Sequence, residues 1–177
     1  MPLGPHVDDT RPLRILVPLD GSVHAKAALV PAAYLVAALA TPEQGAIHLV
    51  RVAKLSVMAD TEERERLLYR AKRYLEATVE QIREGYVAPS IAHLRLPVTW
   101  SVAFDTDVAG AIVRVAENGE DAAGTGIFGG CDVIAMATHG SGGLERWATG
   151  SIAARVLRLT NLPLLLVRPS STIEVKE

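Results

Sequence analysis

The chain has 177 residues, a length typical of one domain with a single sizeable core. Apolar residues make up 49% of it and charged residues 21%, a composition typical of globular domains and not of disordered chains. The formal charge of −2 argues against a nucleic-acid partner, because such partners usually require a basic face. The single cysteine, Cys131, excludes an internal disulfide and is consistent with a reducing compartment.

The two ends of the chain look unlike the middle. Residues 1–12 contain three prolines and two adjacent aspartates, and we expect a flexible N-terminal arm there. Residues 13–168 are predicted to form one domain and residues 169–177 a loose C-terminal tail. No segment has the apolar core of a signal peptide, and the apolar run 27–40 is shorter than the ~18–20 residues of a membrane span. We therefore expect a cytoplasmic protein without a membrane partner.

Short apolar runs alternate with stretches of helical periodicity along the domain. Strands are predicted at residues 15–17, 46–52, 97–103, 133–137 and 164–167. Helices are predicted at 23–40 (kinked at Pro31), 60–84, 108–116 and from about Gly150 onward, with Asp60 and Asp107 as caps. This alternation predicts a single-domain, doubly wound α/β fold, with helices on both faces of a five-stranded parallel sheet.

Two loops with unusual composition follow predicted strands. The turn Asp20-Gly-Ser follows the first strand, and a glycine-rich loop between Thr138 and Ser151 follows the fourth. Ligands of open parallel sheets bind beyond the carboxyl ends of the strands, and the strand order 3-2-1-4-5 places both loops on one crevice. A glycine-rich loop followed by the N-terminus of a helix favours the binding of phosphate. A carboxylate accepts hydrogen bonds from the hydroxyl groups of a sugar or from a ring amino group. The pairing indicates a nucleotide site.

Several sequence motifs together resemble the universal stress protein family over residues 14–168. They are Val17-Pro-Leu-Asp-Gly-Ser22, Ala137-Thr-His-Gly140 with nine residues before Gly150-Ser151, the Arg-Val-Leu run at 155–157 and the run 161–167. The resemblance implies an ATP-binding (or AMP- or ADP-binding) protein with a stress-linked regulatory role. It also implies a homodimer that pairs through the edge strand 163–168.

The resemblance also implies the residues that would contact the nucleotide. Adenine and ribose contacts fall on Pro18, Asp20, Val52 and Met136, and phosphate contacts fall on Gly140, Gly150, Ser151 and Ile152; Ala137 and His139 belong to the same motif. Mg²⁺ would arrive with the phosphates. Ala137 stands where the family signature has glycine, and Ser141 where many members carry a basic residue.

Two further functions stay open on the sequence. One is a slow ATPase or phosphotransfer enzyme that uses His139 or Asp20, and the other is a dimeric interaction module without nucleotide, which Ala137 and Ser141 favour. A serine esterase is excluded because no Gly-x-Ser-x-Gly motif occurs, and a Walker loop because no Gly-Lys pair occurs. The segment 118–130 has five glycines in 13 residues, and we expect it to be mobile or functional.

Overall fold

The computed structural model of the protein describes residues 12–41, 44–119, 123–124, 130–138 and 152–169. Its strands are β1 (Leu13–Pro18), β2 (Gly45–Ala53), β3 (Val98–Phe104), β4 (Ala123–Gly124), β5 (Val133–Ala137) and β6 (Leu164–Val167). They form one sheet in the order β4-β3-β2-β1-β5-β6, in which all strands except β4 are parallel to their neighbours. Without β4, this is the predicted five-stranded parallel sheet of order 3-2-1-4-5, and that prediction is confirmed.

The short strand β4 was not predicted from the sequence. It lies inside the glycine-rich segment 118–130 and pairs antiparallel with β3, with Ala123 opposite Val102 and Gly124 opposite Ser101. Two residues are too few to show the period-2 alternation by which a strand is recognised. Part of this segment therefore belongs to the sheet.

Helices connect the parallel strands. They are a 3₁₀ helix (His24–Ala28), α1 (Leu29–Leu39), α2 (Thr61–Arg83), α3 (Pro89–Ala92), α4 (Val108–Asn118) and α5 (Ile152–Leu159). In place of a kink within one helix, the chain forms a 3₁₀ helix followed by α1. Pro31 lies in the first turn of α1, where no backbone N–H is needed. The chain changes from 3₁₀ to α geometry before it reaches the proline. Within the described ranges, none of the helices combines the length and the hydropathy that a membrane span requires.

Two aspartates begin helices as the sequence predicts. The Asp60 carboxylate accepts a hydrogen bond from the Glu63 N–H at 2.8 Å, and the Asp107 carboxylate accepts one from the Gly110 N–H at 3.2 Å. Each bond satisfies an N–H group that the first turn of a helix leaves without a backbone partner. Both caps hold their helices at the carboxyl end of the preceding strand.

Two apolar layers cover the sheet, one on each face. The first joins α1 and α2 to inward residues of the strands, among them Ile15, Val17, Ile47, Leu49, Trp100 and Ala135. The second joins α4 and α5 to the opposite residues, among them Leu16, Val50, Ala103, Ile134 and Met136. Full burial of one such aliphatic side chain stabilises the fold by roughly 1.5–3 kcal/mol. Consecutive residues of a strand point to opposite faces, so a strand that feeds both layers reads as a continuous apolar run.

Candidate functional site

Several predicted site residues meet at the carboxyl edge of the sheet. Pro18 is the last residue of β1 and pairs with Val50 of β2, just before Val52. Met136 and Ala137 end β5, the neighbour of β1 on its other side. Because β1 lies between β2 and β5, the structure brings these residues to one edge of the sheet.

Pro18, Val52 and Met136 share one face of the sheet, whereas Ala137, the neighbour of Met136 on β5, points to the other face. Val52 and Met136 belong to the apolar layer beneath α4 and α5, where Met136 is buried and Val52 is half-buried. Pro18 is half-buried and follows Leu16 of that layer by two residues, so it faces the same side. Ile152, the first residue of α5, is 41% exposed. Together, Pro18, Val52 and Met136 form an apolar floor at the carboxyl edge of this face.

Asp20 lies directly beyond this floor, in the turn after β1. Its side chain is exposed, and its Oδ1 accepts a hydrogen bond from the Ser22 N–H at 2.8 Å. The Ser22 hydroxyl in turn accepts one from the Ala25 N–H at 3.2 Å, as the predicted turn and cap require. Gly21 between them has φ of 95°, a backbone conformation that other residues rarely adopt. The turn therefore places a carboxylate at the carboxyl edge.

The predicted phosphate contacts fall mostly outside the described residues. This holds for Gly140, Gly150 and Ser151, and His139 and Ser141 of the same loop also lie outside them. The chain before them is anchored, because the Thr138 N–H donates to the Val167 carbonyl at 2.8 Å. The chain after them begins α5, which packs against β5 through buried Ala153 and Val156. The placement of the phosphate contacts remains a prediction.

Two charged pairs stand beside the site and were missed at the sequence level. Arg155 of α5 donates to the Asp107 carboxylate at 2.8 Å, so it links α5 to the capping residue of α4. Arg114 forms an ion pair with Asp105. The Asp107 N–H that donates to Asp105 at 2.8 Å holds the pKa of that carboxyl below its usual value, and Arg114 acts in the same direction. The only sequence signal was a pair of aspartates after a strand.

A polar network lies deeper, under the same face. His48 is 1% exposed, and its ring nitrogens contact the Thr99 and Ser101 hydroxyls at 2.7 and 2.8 Å. Burial, with a smaller contribution from the charge of Arg14, lowers the pKa of His48 to about 4. The ring is therefore neutral at pH 7 and satisfied by its neighbours, as expected of a structural histidine and not of a general base.

In the part of the chain that the structure describes, no three His, Cys, Asp or Glu side chains are placed to hold a metal ion. Cys131 is buried beneath α4, with 4% of its surface exposed. Among the described residues, the edge offers an apolar floor and the Asp20 carboxylate.

Comparison with solved structures shows the same fold in other proteins. A universal stress protein from Lactobacillus plantarum aligns with a TM-score of 0.57 at 17% identity, over 90% of this chain and 100% of that one. A universal stress protein in complex with cAMP aligns at 0.62 and 14%, over 89% and 98%. A family protein from Arabidopsis thaliana with AMP bound aligns at 0.52 and 14%, over 90% and 94%.

The sequence itself carries the family relationship. A search of curated proteins gives no significant match. The sequence profile of the universal stress protein family matches residues 13–168, from the start of β1 to just beyond the end of β6. Because that match covers most of the chain and the sheet order agrees with it, the chain belongs to the universal stress protein family.

Proposed function

We propose that the protein binds an adenine nucleotide (ATP, ADP or AMP) at the carboxyl edge of its sheet and acts as a stress-linked regulatory protein. The observation that carries the proposal is the convergence of Pro18, Asp20, Val52 and Met136 on that edge. Solved relatives of the same fold were crystallised with cAMP and AMP, which supports an adenine nucleotide as the ligand class.

The proposed roles follow from the chemistry of each group. Val52, Met136 and Pro18 offer apolar surface to the flat purine ring, and burial of that surface contributes to binding. The exposed Asp20 carboxylate accepts hydrogen bonds from the ribose hydroxyls or the ring amino group. These contacts fix the nucleoside half of the ligand.

The phosphate half depends on the glycine-rich loop. We propose that backbone N–H groups between Gly140 and Ser151 hold the phosphates, together with the positive end of the α5 dipole. Ser141 is uncharged, so this cradle relies on dipoles where many relatives use a basic side chain. Mg²⁺ would be held mainly by phosphate oxygens and water.

The proposed assembly is a homodimer formed through residues 163–168. Strand β6 lies at an outer edge of the sheet, and Leu157 and Leu159 of the adjacent helix α5 are about half exposed. An apolar edge strand left unpaired favours aggregation, so a partner strand there would protect the fold. Sedimentation equilibrium is expected to give twice the monomer mass, and a monomer mass at every concentration would contradict the proposal.

The nucleotide proposal is tested by titrating the purified protein with ATP, AMP and cAMP in a calorimeter. Asp20→Asn is expected to weaken binding by about tenfold, because a hydrogen bond to a charged group contributes about 1.5–3 kcal/mol. Glu76→Gln, which removes an exposed carboxylate on α2, is the matched control and should bind like the wild type. If millimolar nucleotide produces neither heat nor a shift in the melting temperature, nucleotide binding is rejected, and the dimeric interaction module remains as the function.

A further inference from the structure

A cluster of cations around one aromatic ring lies behind the Asp20 turn, on the α1 and α2 side of the sheet. The Arg51 guanidinium carbon is 4.7 Å from the centre of the Tyr74 ring, and the Lys26 ammonium nitrogen is 5.4 Å from it. Lys26 also donates to the Gln81 side-chain oxygen at 2.7 Å. Such cation–ring contacts contribute about 0.5–2 kcal/mol, depending on how far they are shielded from water.

Arg51 also packs directly against the turn. A methyl carbon added to Gly21 would lie 2.9 Å from one guanidinium nitrogen of Arg51 and 3.2 Å from the other. The space that a side chain would occupy at position 21 is thus filled by the guanidinium. Since Gly21 adjoins Asp20 and has φ of 95°, Arg51 supports the turn at its most unusual backbone angle.

Tyr74 supplies the surface on which Arg51 rests. Its hydroxyl oxygen is buried and, among the described residues, makes no hydrogen bond of good geometry, although the Gly21 backbone and Thr78 lie beside it. Burial raises the pKa of Tyr74, and the charge of Arg51 opposes that rise. The ring therefore serves the cluster mainly through its face.

Arg51 and Val52, which are neighbours at the end of β2, have different roles on opposite faces of the sheet. Consecutive residues of a strand point to opposite faces, so Val52 faces the proposed ligand side while Arg51 faces α2. The one strand end thus contributes a ligand contact on one face and support for the Asp20 turn on the other. Residues that hold a binding group from behind reduce the ordering that binding would otherwise require.

We propose that Arg51, stacked on Tyr74, is a positioning residue for Asp20: it holds the Asp20-Gly21 turn so that the carboxylate faces the nucleotide side. The inference rests on the proposed function, because it assigns Arg51 an effect on nucleotide affinity without contact to the nucleotide. The contact through which Arg51 acts is the packing of its guanidinium on Gly21.

A double-mutant cycle tests whether Arg51 acts through Asp20. Arg51→Met keeps an unbranched side chain but removes the charge and the planar stack, and it should weaken AMP binding about three- to tenfold by calorimetry. In the Asp20→Asn background the same change should alter affinity by less than about twofold, because its target is already lost. Arg73→Met, at an exposed position on α2, should bind like the wild type. Equal effects of Arg51→Met in both backgrounds would overturn the proposal.

Hydrogen exchange measured without nucleotide tests the positioning role of Arg51 independently of whether the protein binds nucleotide. The Ser22 N–H bonds to Asp20 only while the turn is formed, so Arg51→Met should speed exchange in residues 19–25, and Arg73→Met should not. Tyr74→Leu should reproduce the effect of Arg51→Met, and Tyr74→Phe should not, because only the leucine lacks a ring. Wild-type protein that binds no nucleotide would reject the function; unchanged exchange in Arg51→Met would reject the positioning role.

Discussion

The two ends of the sheet are built in different ways. At the amino end, two glycines allow close packing: a Cβ added to Gly45 would overlap the Val36 side chain, and one added to Gly130 would overlap the Glu117 carbonyl oxygen. At the carboxyl end, exposed Asp20 and the half-exposed Asp107–Arg155 pair lie at the surface.

This difference suggests that the amino end of the sheet contributes mainly to stability and the carboxyl end mainly to ligand binding. Contacts without room for a methyl group fix the layers of the fold. Polar groups at the ends of parallel strands are held by a rigid sheet and still reach solvent, which is why sites of such folds are found there. Substitutions at the amino end should therefore change mainly the free energy of unfolding, whereas substitutions of the proposed ligand contacts at the carboxyl end should change mainly nucleotide affinity.

The largest expected effect is at Gly130. Gly130→Ala should lower the free energy of unfolding by more than about 2 kcal/mol, because φ of 104° strains any side chain and the new methyl group would overlap the Glu117 carbonyl. Gly85→Ala is the control: its φ is 82°, but its nearest neighbour would be at an ordinary 3.4 Å, so it should cost only the strain. Urea unfolding measures both, and equal losses would contradict the backbone-contact account.

A somewhat smaller effect is expected from the buried histidine between the two ends. The pKa of His48 is about 4 in the folded protein and 6.5 in the unfolded chain, so the unfolded chain binds the proton more strongly. Stability should be constant above pH 6.5 and fall as the pH drops towards 4, with a loss of about 2 kcal/mol by pH 5. Urea midpoints measured from pH 7.5 to 5 would show the slope, and His48→Gln, which does not titrate, should flatten it.

At the carboxyl end, substitutions of Asp107 distinguish its role as a helix cap from its ion pair with Arg155. Asp107→Ala loses both the cap and the ion pair and should cost about 1 kcal/mol, whereas Asp107→Ser keeps a capping oxygen and should cost less than about 0.5 kcal/mol. Thermal melting of the two variants checks this. A serine variant as unstable as the alanine variant would show that the link to α5 is the stronger contribution.

The smallest expected effect is at Tyr74. Tyr74→Phe removes a buried hydroxyl that has no well-formed hydrogen bond within the described residues, and it keeps the ring on which Arg51 rests. Stability should stay within about 0.5 kcal/mol of the wild type, or rise slightly. A larger loss, measured by urea unfolding, would show that the hydroxyl does bond to the turn.

The sequence predicts those parts of the fold that depend on local pattern. The five parallel strands are short and largely apolar, and Asp60 and Asp107 lie one residue before their helices begin, so both signals are local. The carboxyl-edge rule then places the turn with Asp20 and the loop after Thr138 on one crevice without any coordinates, whereas Met136 was supplied by the resemblance to the family. The nucleotide contacts assigned to 139–151 stay predictions, because those residues lie outside the described part of the chain.

The missed features depend on distances that no local pattern encodes. Arg51 and Tyr74 lie on different elements, and only the packing of α2 on the sheet brings the guanidinium to the ring. The partners of His48 are known only once the register of β2 and β3 is fixed, with Thr99 opposite His48. A histidine within an apolar run gives no sign, by itself, of which hydroxyls satisfy it.

The two-residue strand β4 has a consequence for assembly. It pairs with β3 at Ser101 and Val102, and a strand that short offers little backbone for another chain to extend. The opposite edge, β6, presents four residues. If copies pair through β6, each copy has a valency of one, so association is self-terminating: more protein would fill more pairs and would not lengthen a chain of subunits.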